Sequence, residues 1–166
     1  MLLSYLRLDS DSSDFVLRSC PLDGIVRQAI RKYAKLFIGK KITLDFQSSG
    51  AKVLTDEKWL CFAIEQILSN AIKYTPAGKI SVYEQDGELI IADTGIGIAP
   101  EDLPRVFEKG YTGYNGRTNQ KSTGIGLYLC KRILTKLGQS ITITSQLGQG
   151  TQVHIDLTQT RTVVIE

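Results

Sequence analysis

Histidine occurs once and cysteine three times in the 166 residues, and each scarcity closes off a chemistry. A lone histidine, His154, cannot supply a histidine-rich metal centre. Cys20, Cys61 and Cys130 are odd in number and form no CxxC pair, which argues against both a disulfide framework and a zinc site and points to a reducing compartment. No apolar run approaches the roughly 18 residues of a membrane span, and the start, Met-Leu-Leu-Ser-Tyr, lacks the basic region and long apolar stretch of a signal peptide. Low-complexity tracts and fixed-period repeats are absent as well. Lys and Arg number 20 against 17 Asp and Glu, too small an excess for a dedicated nucleic-acid binder, so no nucleic-acid partner is expected.

What is present suits one globular domain: 42% hydrophobic and 22% charged residues in a length that buries enough surface without a disulfide or metal staple. The small basic excess is unevenly placed. Between Arg105 and Lys136 stand seven basic residues and a single acid, Glu108, so an anionic ligand is the first thing to seek there.

The apolar pattern divides the chain. Residues 1–8 read as the end of a helix whose Leu2, Leu3 and Leu6 have little to cover them. A short strand follows at Asp14–Ser19, then an amphipathic helix from Pro21 to Phe37, with Gly39 just beyond its end. Strands are expected at Ile42–Phe46 and Val53–Leu54, and a helix opened by Asp56 runs to about Tyr74, stopped by Pro76 and Gly78. Lys79–Glu84 and Glu88–Asp93 form a hairpin around Asp86-Gly87. Thr94–Thr123 is rich in Gly and Pro and long for a connecting loop, which suggests a functional lid. A third helix, from Gly124 to about Leu137, precedes strands at Ser140–Ser145 and Gly150–Leu157. Strands and helices are mixed and the late strands are joined by short turns, so the expected class is α+β: a two-layer sandwich with a mixed, mostly antiparallel sheet on three helices.

Three features carry chemistry. On the central helix Gln66, Ser69, Asn70 and Lys73 share one ridge of an otherwise apolar element. Two amides and an ammonium suit a hard divalent metal and a phosphate, although a plain polar ridge reads the same way. The run Leu89-Ile-Ile-Ala-Asp93 ends an apolar strand in a carboxylate, costly unless satisfied. An adenine amino group would satisfy it, with Gly95 and Gly97 letting backbone approach, while Asp-Thr-Gly is also an ordinary turn. Finally Ser122-Thr123-Gly124-Ile-Gly126-Leu127 opens a helix behind glycines, which is either a phosphate cradle or tight helix–sheet packing. It completes neither a Walker loop nor a dinucleotide fingerprint.

The order of these features resembles the ATP-binding catalytic domain of sensor histidine kinases, a fold shared with gyrase, heat-shock chaperone and mismatch-repair ATPases. The matching pieces are Glu65-Gln-Ile-Leu-Ser-Asn70-Ala-Ile-Lys73-Tyr74, Asp93-Thr-Gly95-Ile-Gly97, Val106-Phe107-Glu108-Lys109-Gly110, the Ser122–Leu127 run and Gly148-Gln-Gly150-Thr151. Thr55-Asp-Glu-Lys-Trp-Leu60 and the Lys109–Arg117 run look closest to the short-sensor, membrane-embedded kinases of Gram-positive bacteria that answer cell-envelope antibiotics such as bacitracin.

The resemblance implies ATP and Mg²⁺, with Asn70 and, through water or not at all, Gln66 on the metal, and Lys73 on a phosphate. It implies Tyr74 along the nucleotide, Asp93 on the adenine amino group, Gly95, Gly97 and Ile98 beside the base, and Thr123, Gly124, Gly126, Leu127 and Thr151 around the nucleotide. Arg117 and Lys109 are the implied lid cations for the γ-phosphate. It further implies residues 1–13 as a remnant of an upstream dimerisation and acceptor helix, 14–158 as the catalytic domain with a lid at about 99–123, and 159–166 as a tail.

Gln66 cannot take a proton, so hydrolysis of ATP is disfavoured against transfer to a histidine supplied from outside the chain. His154 itself, with Gln152 and Asp156 on the polar side of its strand, reads as solvent-facing. The implied partners are the histidine-phosphoacceptor dimerisation domain of the same kinase, a response regulator and, in the intact system, an ABC transporter. The whole protein is then a membrane-bound homodimer whose cytoplasmic portion this is, the fragment alone being monomeric. Two other functions stay open: an ATP-driven clamp, and a nucleotide-binding module without transfer. The basic face Arg27, Arg31, Lys32 and Lys35 is either solvated or a docking surface for the acceptor domain.

Overall fold

The computed structural model describes residues 15–110 and 126–158. The first strand, β1 (Arg18–Pro21), is followed by α1 (Leu22–Lys32) and α2 (Ala34–Gly39), then β2 (Lys41–Phe46), β3 (Lys52–Thr55) and α3 (Glu57–Lys73). After α3 come β4 (Ala77–Gln85), β5 (Glu88–Asp93), a single 3-10 turn at Leu103–Arg105, α4 (Gly126–Lys136), β6 (Ser140–Gln146) and β7 (Gly150–Asp156). The main sheet has five strands in the order β2-β4-β5-β7-β6, and only β2 and β4 run parallel. That parallel pair requires a crossover, which β3 and α3 supply. Helices α1, α3 and α4 cover one face, α3 packing against both others. The α+β sandwich expected from the sequence is the fold observed.

Three local expectations are corrected. The first strand begins four residues later than the expected Asp14–Ser19 and ends two later, and it pairs with β3 in a separate two-stranded sheet. The helix expected over Pro21–Phe37 is broken at Tyr33, whose backbone leaves helical geometry (φ −110°, ψ 12°) while its N–H still bonds Ile30 O and Arg31 O. Apolar spacing continues across the break because Phe37 must still reach the core, so periodicity alone could not reveal it. His154, expected to face solvent, is half-buried, its Nδ1 3.4 Å from Glu88 Oε1.

Side-chain alternation on the sheet decides where the chemistry goes. Leu89 and Ile91 are buried against the helices, and Asp93, two positions further, stands on the same face, paired across the sheet with buried Ile80. The β4–β5 turn uses Asp86 (φ 53°) and Gly87 (φ 82°), both left-handed as a two-residue type I′ loop demands.

At its start α3 is fixed by Asp56, whose Oδ1 accepts from Lys58 N (3.1 Å) and Trp59 N (3.3 Å). Its Oδ2 accepts from Val16 N at 2.8 Å, and the Phe15 ring meets Trp59 edge-on at 5.5 Å, so one carboxylate joins the entering chain to the central helix. Asp56→Ala is expected to lower stability by about 1–2 kcal/mol. Urea denaturation checks this; an unchanged midpoint would show that the cap contributes nothing. All three cysteines are buried and unbridged, and burial pushes the Cys61 thiol up to about 11, so at neutral pH they are packing groups.

Candidate functional site

The C-terminal half of α3, the segment after β5 and the β6–β7 turn meet at one end of the sheet. On α3, Gln66, Asn70 and Lys73 are half-buried along the expected ridge, while Glu65 points away and reaches Lys32 of α1 at 3.7 Å. The helix ends at Tyr74, whose N–H bonds Asn70 O (3.0 Å) and whose own carbonyl accepts from Ile96 N (3.0 Å). Lys40 caps the same helix end, its Nζ donating to Ile72 O at 2.6 Å.

Ile96 and its neighbours are also held from the other side. Ile96 O accepts from Gly148 N (2.7 Å), and Ile98 N donates to Ser145 Oγ (2.8 Å). Ser145 Oγ in turn bonds Gly150 O (2.8 Å) and the Thr151 hydroxyl (2.9 Å). The glycines of this segment are required by protein as well as by any ligand. A Cβ on Gly95 would collide with the Tyr74 carbonyl and lie 2.7 Å from Thr75 Oγ1, and Gly97 sits at φ +75° against the carbonyl of Gln146. The sequence suggested approach to a base; the structure adds that these glycines let the strand-to-loop segment press onto the helix end.

Asp93 is the centre of the arrangement. Burial raises its carboxyl above the usual range, opposed by the Gly95 N–H (2.9 Å to Oδ1), the Thr151 N–H and the Thr75 hydroxyl. Thr75 is fully buried, and although its Oγ1 lies close enough to influence Asp93, it reaches no partner in hydrogen-bond geometry. Nothing in the sequence marked Thr75 except its place between Tyr74 and Pro76. A half-buried carboxylate, an adjacent orphaned hydroxyl and a glycine without room for a Cβ together fit an adenine edge that donates from an amino group and offers a ring acceptor.

The donor set for a metal is of a different kind. Asn70 and Gln66 offer amide oxygens, and among the described residues no three His, Cys, Asp or Glu come together. Such a set fits a divalent ion only if the ligand brings its own anionic oxygens, as a nucleotide phosphate does. Lys73 Nζ lies 5.7 Å over the Tyr74 ring, its pKa lowered by burial, on the ridge one turn beyond Asn70.

The second glycine run meets this ridge: a Cβ on Gly126, at the start of α4, would lie 3.3 Å from Gln66 Oε1. Leu127 follows on the same half-buried turn. Thr123, Gly124 and Arg117 lie outside the described residues. Lys109 lies 5.7 Å over the Tyr128 ring of α4, and Lys131 5.0 Å over Phe107, so the phenylalanine segment rests on that helix. Part of the basic excess goes elsewhere. Lys131, Arg132 and Lys136 line a groove of about 480 Å³ with Phe107 and Tyr128, and none of the ridge or Asp93 residues lines it.

An apolar strand ending in a half-buried carboxylate, glycine turns packed on a helix end and an amide ridge beside a second helix thus come together at one end of an α+β sandwich. Residues 55–161 match the family of histidine kinase-, DNA gyrase B- and HSP90-like ATPases, and the chain belongs to that family. It is similar to the sensor histidine kinase YxdK of Bacillus subtilis strain 168, at 39% identity over 161 residues, 92% of this chain and 49% of the relative. It is similar also to the sensor protein BceS of the same organism, at 38% over 149 residues, 87% of this chain and 45% of the relative. The chain thus spans about half the length of these relatives.

Among solved structures, full-length ShkA in complex with AMPPNP superposes with a TM-score of 0.76 at 26% identity, over 93% of this chain and 33% of that one. The catalytic domain of the histidine kinase ThkA does so with a TM-score of 0.72 at 18% identity, over 87% of this chain and 97% of that one, and shows the fold alone.

Proposed function

We propose that this chain is the ATP-binding catalytic domain of a sensor histidine kinase, passing the γ-phosphoryl group of ATP to a histidine on a separate dimerisation domain. The observation that carries the reading is the half-buried Asp93 carboxylate beside the orphaned Thr75 hydroxyl and Gly95, at the end of the helix that bears Asn70 and Lys73. In this reading Asp93 accepts from the adenine amino group, and Thr75 donates to the base. Tyr74, Gly95, Gly97, Ile98 and Thr151 shape the adenine end, while Lys73 neutralises phosphate charge. Gly126 and Leu127 hold the start of α4 against Gln66, and Thr123, Gly124, Arg117 and Lys109 complete the phosphate end. Asn70, with Gln66, would hold Mg²⁺, whose chemistry is to screen the phosphate oxygens and polarise the bond to the leaving ADP.

No carboxylate on the ridge faces the phosphates, since Glu65 turns to Lys32, and Gln66 cannot act as a base; the domain therefore spares ATP from water and waits for the acceptor. Its partners are the histidine-phosphoacceptor domain and a response regulator. The intact protein is a membrane-bound homodimer with this domain on the cytoplasmic side, working beside an ABC transporter.

The test mixes the chain with Mg-ATP and a separately made acceptor-helix domain. Acid-labile phosphohistidine on that domain is expected. ATP binding without transfer would favour a regulatory nucleotide module, and steady ATP turnover by the chain alone would favour a clamp-type ATPase.

Two further results are expected of the isolated chain. Lys40→Met, which frees the carbonyl end of α3 next to Tyr74, should weaken ATP binding about fivefold, the worth of one net hydrogen bond of about 1 kcal/mol, and Lys40→Arg should keep most of it. Equal affinities by calorimetry would separate this cap from the site.

The second concerns pH. Asp93 must be ionised to accept from the base, and burial raises its pKa, so ATP affinity should fall as pH drops through a value above the ordinary carboxylate range. For folding the sign is opposite. A raised pKa contributes stability that is complete below the unfolded carboxylate's pKa and is lost as pH rises through the folded one. Affinity that stays flat through the carboxylate range would mean that Asp93 does not touch the base.

A further inference from the structure

One corner of the molecule, made by α2 and its flanks, is both cationic and apolar, and the nucleotide reading does not use it. Residues 24–44 contain six basic residues and no acid. Three of the six are engaged within the fold: Arg27 lies 5.4 Å over the Phe46 ring, Lys32 reaches Glu65, and Lys40 caps α3. The other three, Arg31, Lys35 and Lys41, are exposed. Among them stand Leu36, 49% exposed, and Ile38, 86% exposed, which are two of only four large apolar side chains so placed among the described residues.

The geometry of α2 explains why these apolar residues face outward. Phe37 is its one buried residue and anchors it to the core. At 100° per residue, Lys35 then falls opposite Phe37, with Leu36 and Ile38 on either side of it. An aliphatic pair straddling a lysine, with Arg31 before it and Lys41 after it, is the pattern of a segment that lies on an interface, apolar tips inserted and ammonium groups level with anionic head groups. An acidic protein surface would be met by the cations alone and would gain nothing from an isoleucine in water.

We propose that this corner docks on an anionic phospholipid surface through Arg31, Lys35, Lys41, Leu36 and Ile38. The inference stands apart from the phosphotransfer reading, because none of these residues belongs to the nucleotide site.

The full chain is mixed with vesicles of phosphatidylcholine containing phosphatidylglycerol, or of phosphatidylcholine alone, and sedimented at low and at high salt. Binding is expected to the anionic vesicles only, weakened by salt. It should be about fivefold weaker for each of Arg31→Gln, Lys35→Gln and Lys41→Gln, about 1 kcal/mol per cation. Ile38→Ser should weaken it too. ATP affinity measured on the same variants keeps loss of folding apart from loss of docking, since all the replaced side chains are exposed. The proposal fails if the chain stays in the supernatant with anionic vesicles. It fails equally if Ile38→Ser binds as the parent does, or if soluble polyglutamate captures the chain as well as the vesicles do; the last two results point to an acidic protein partner.

Discussion

Replacing Asp93 by Asn is expected to weaken ATP binding about 100-fold while leaving the fold intact. The carboxylate stands at the end of β5 on the helix-facing side and already accepts from the Gly95 N–H. An asparagine there can keep one oxygen, but its amide NH₂ must take the place of the other, donor against the donating amino group of adenine. Losing a hydrogen bond to a charged acceptor and facing donor with donor costs about 2–3 kcal/mol, which is the stated factor. The fold should not suffer, because burial disfavours the ionised Asp93 in the first place and a neutral isostere removes that cost. Calorimetric titration with ATP and with GTP measures the effect. Unchanged ATP affinity would remove Asp93 from the site. A gain for GTP, whose base carries a carbonyl where adenine carries its amino group, would identify the contact atom by atom.

Replacing Asn70 by Asp should leave ATP bound but reduce phosphotransfer to the acceptor domain by about 100-fold or more. Asn70 is half-buried on α3, one turn before Lys73, and its backbone carbonyl receives the capping Tyr74 N–H, so the helix end that places its amide is well determined. A carboxylate in its place adds negative charge beside the phosphates and changes where a divalent ion would settle. Displacements of about 1 Å in such a site cost about 100-fold in rate. Because most of the adenine contacts lie elsewhere, affinity should change far less than rate. An Asn70→Asp variant that transfers phosphate as fast as the parent would take Asn70 out of the machinery.

The elements that carry this site were largely legible in the sequence. The α3 helix announced itself by its N-cap aspartate and by Pro76 and Gly78 beyond its end. The β4–β5 hairpin did so by Asp86-Gly87, and Asp93 by being a carboxylate at the end of an apolar strand. These are local signals, and local physics decides them. What was not legible depends on partners distant in sequence. The β1–β3 ladder pairs residues some thirty-one to thirty-seven positions apart, Pro21 with Lys52 at one end and Arg18 with Thr55 at the other. The break at Tyr33 leaves the apolar spacing unbroken, and the part played by Lys40 is seen only once Ile72 is beside it. Thr75 could not have been singled out, because an orphaned hydroxyl is a property of a packed interior. The glycines show how a correct reading can be incomplete: Gly95 and Gly97 were expected to make room for a base, and the carbonyls of Tyr74 and Gln146 press on them as well.

The parallel pairing of β2 with β4 also governs how the molecule can be divided. The family match begins at residue 55, yet the site-bearing helix is covered by α1 and capped by Lys40, and β4, the longest strand described, has β2 along its outer edge. Cutting at the family boundary would strip the partner strand from six residues of β4, Ala77 to Val82, and uncover the apolar flank of α3, the circumstances in which sheets recruit strands from neighbouring molecules. The first forty described residues are thus a protective sleeve for the nucleotide-binding half, and any minimal fragment has to retain them.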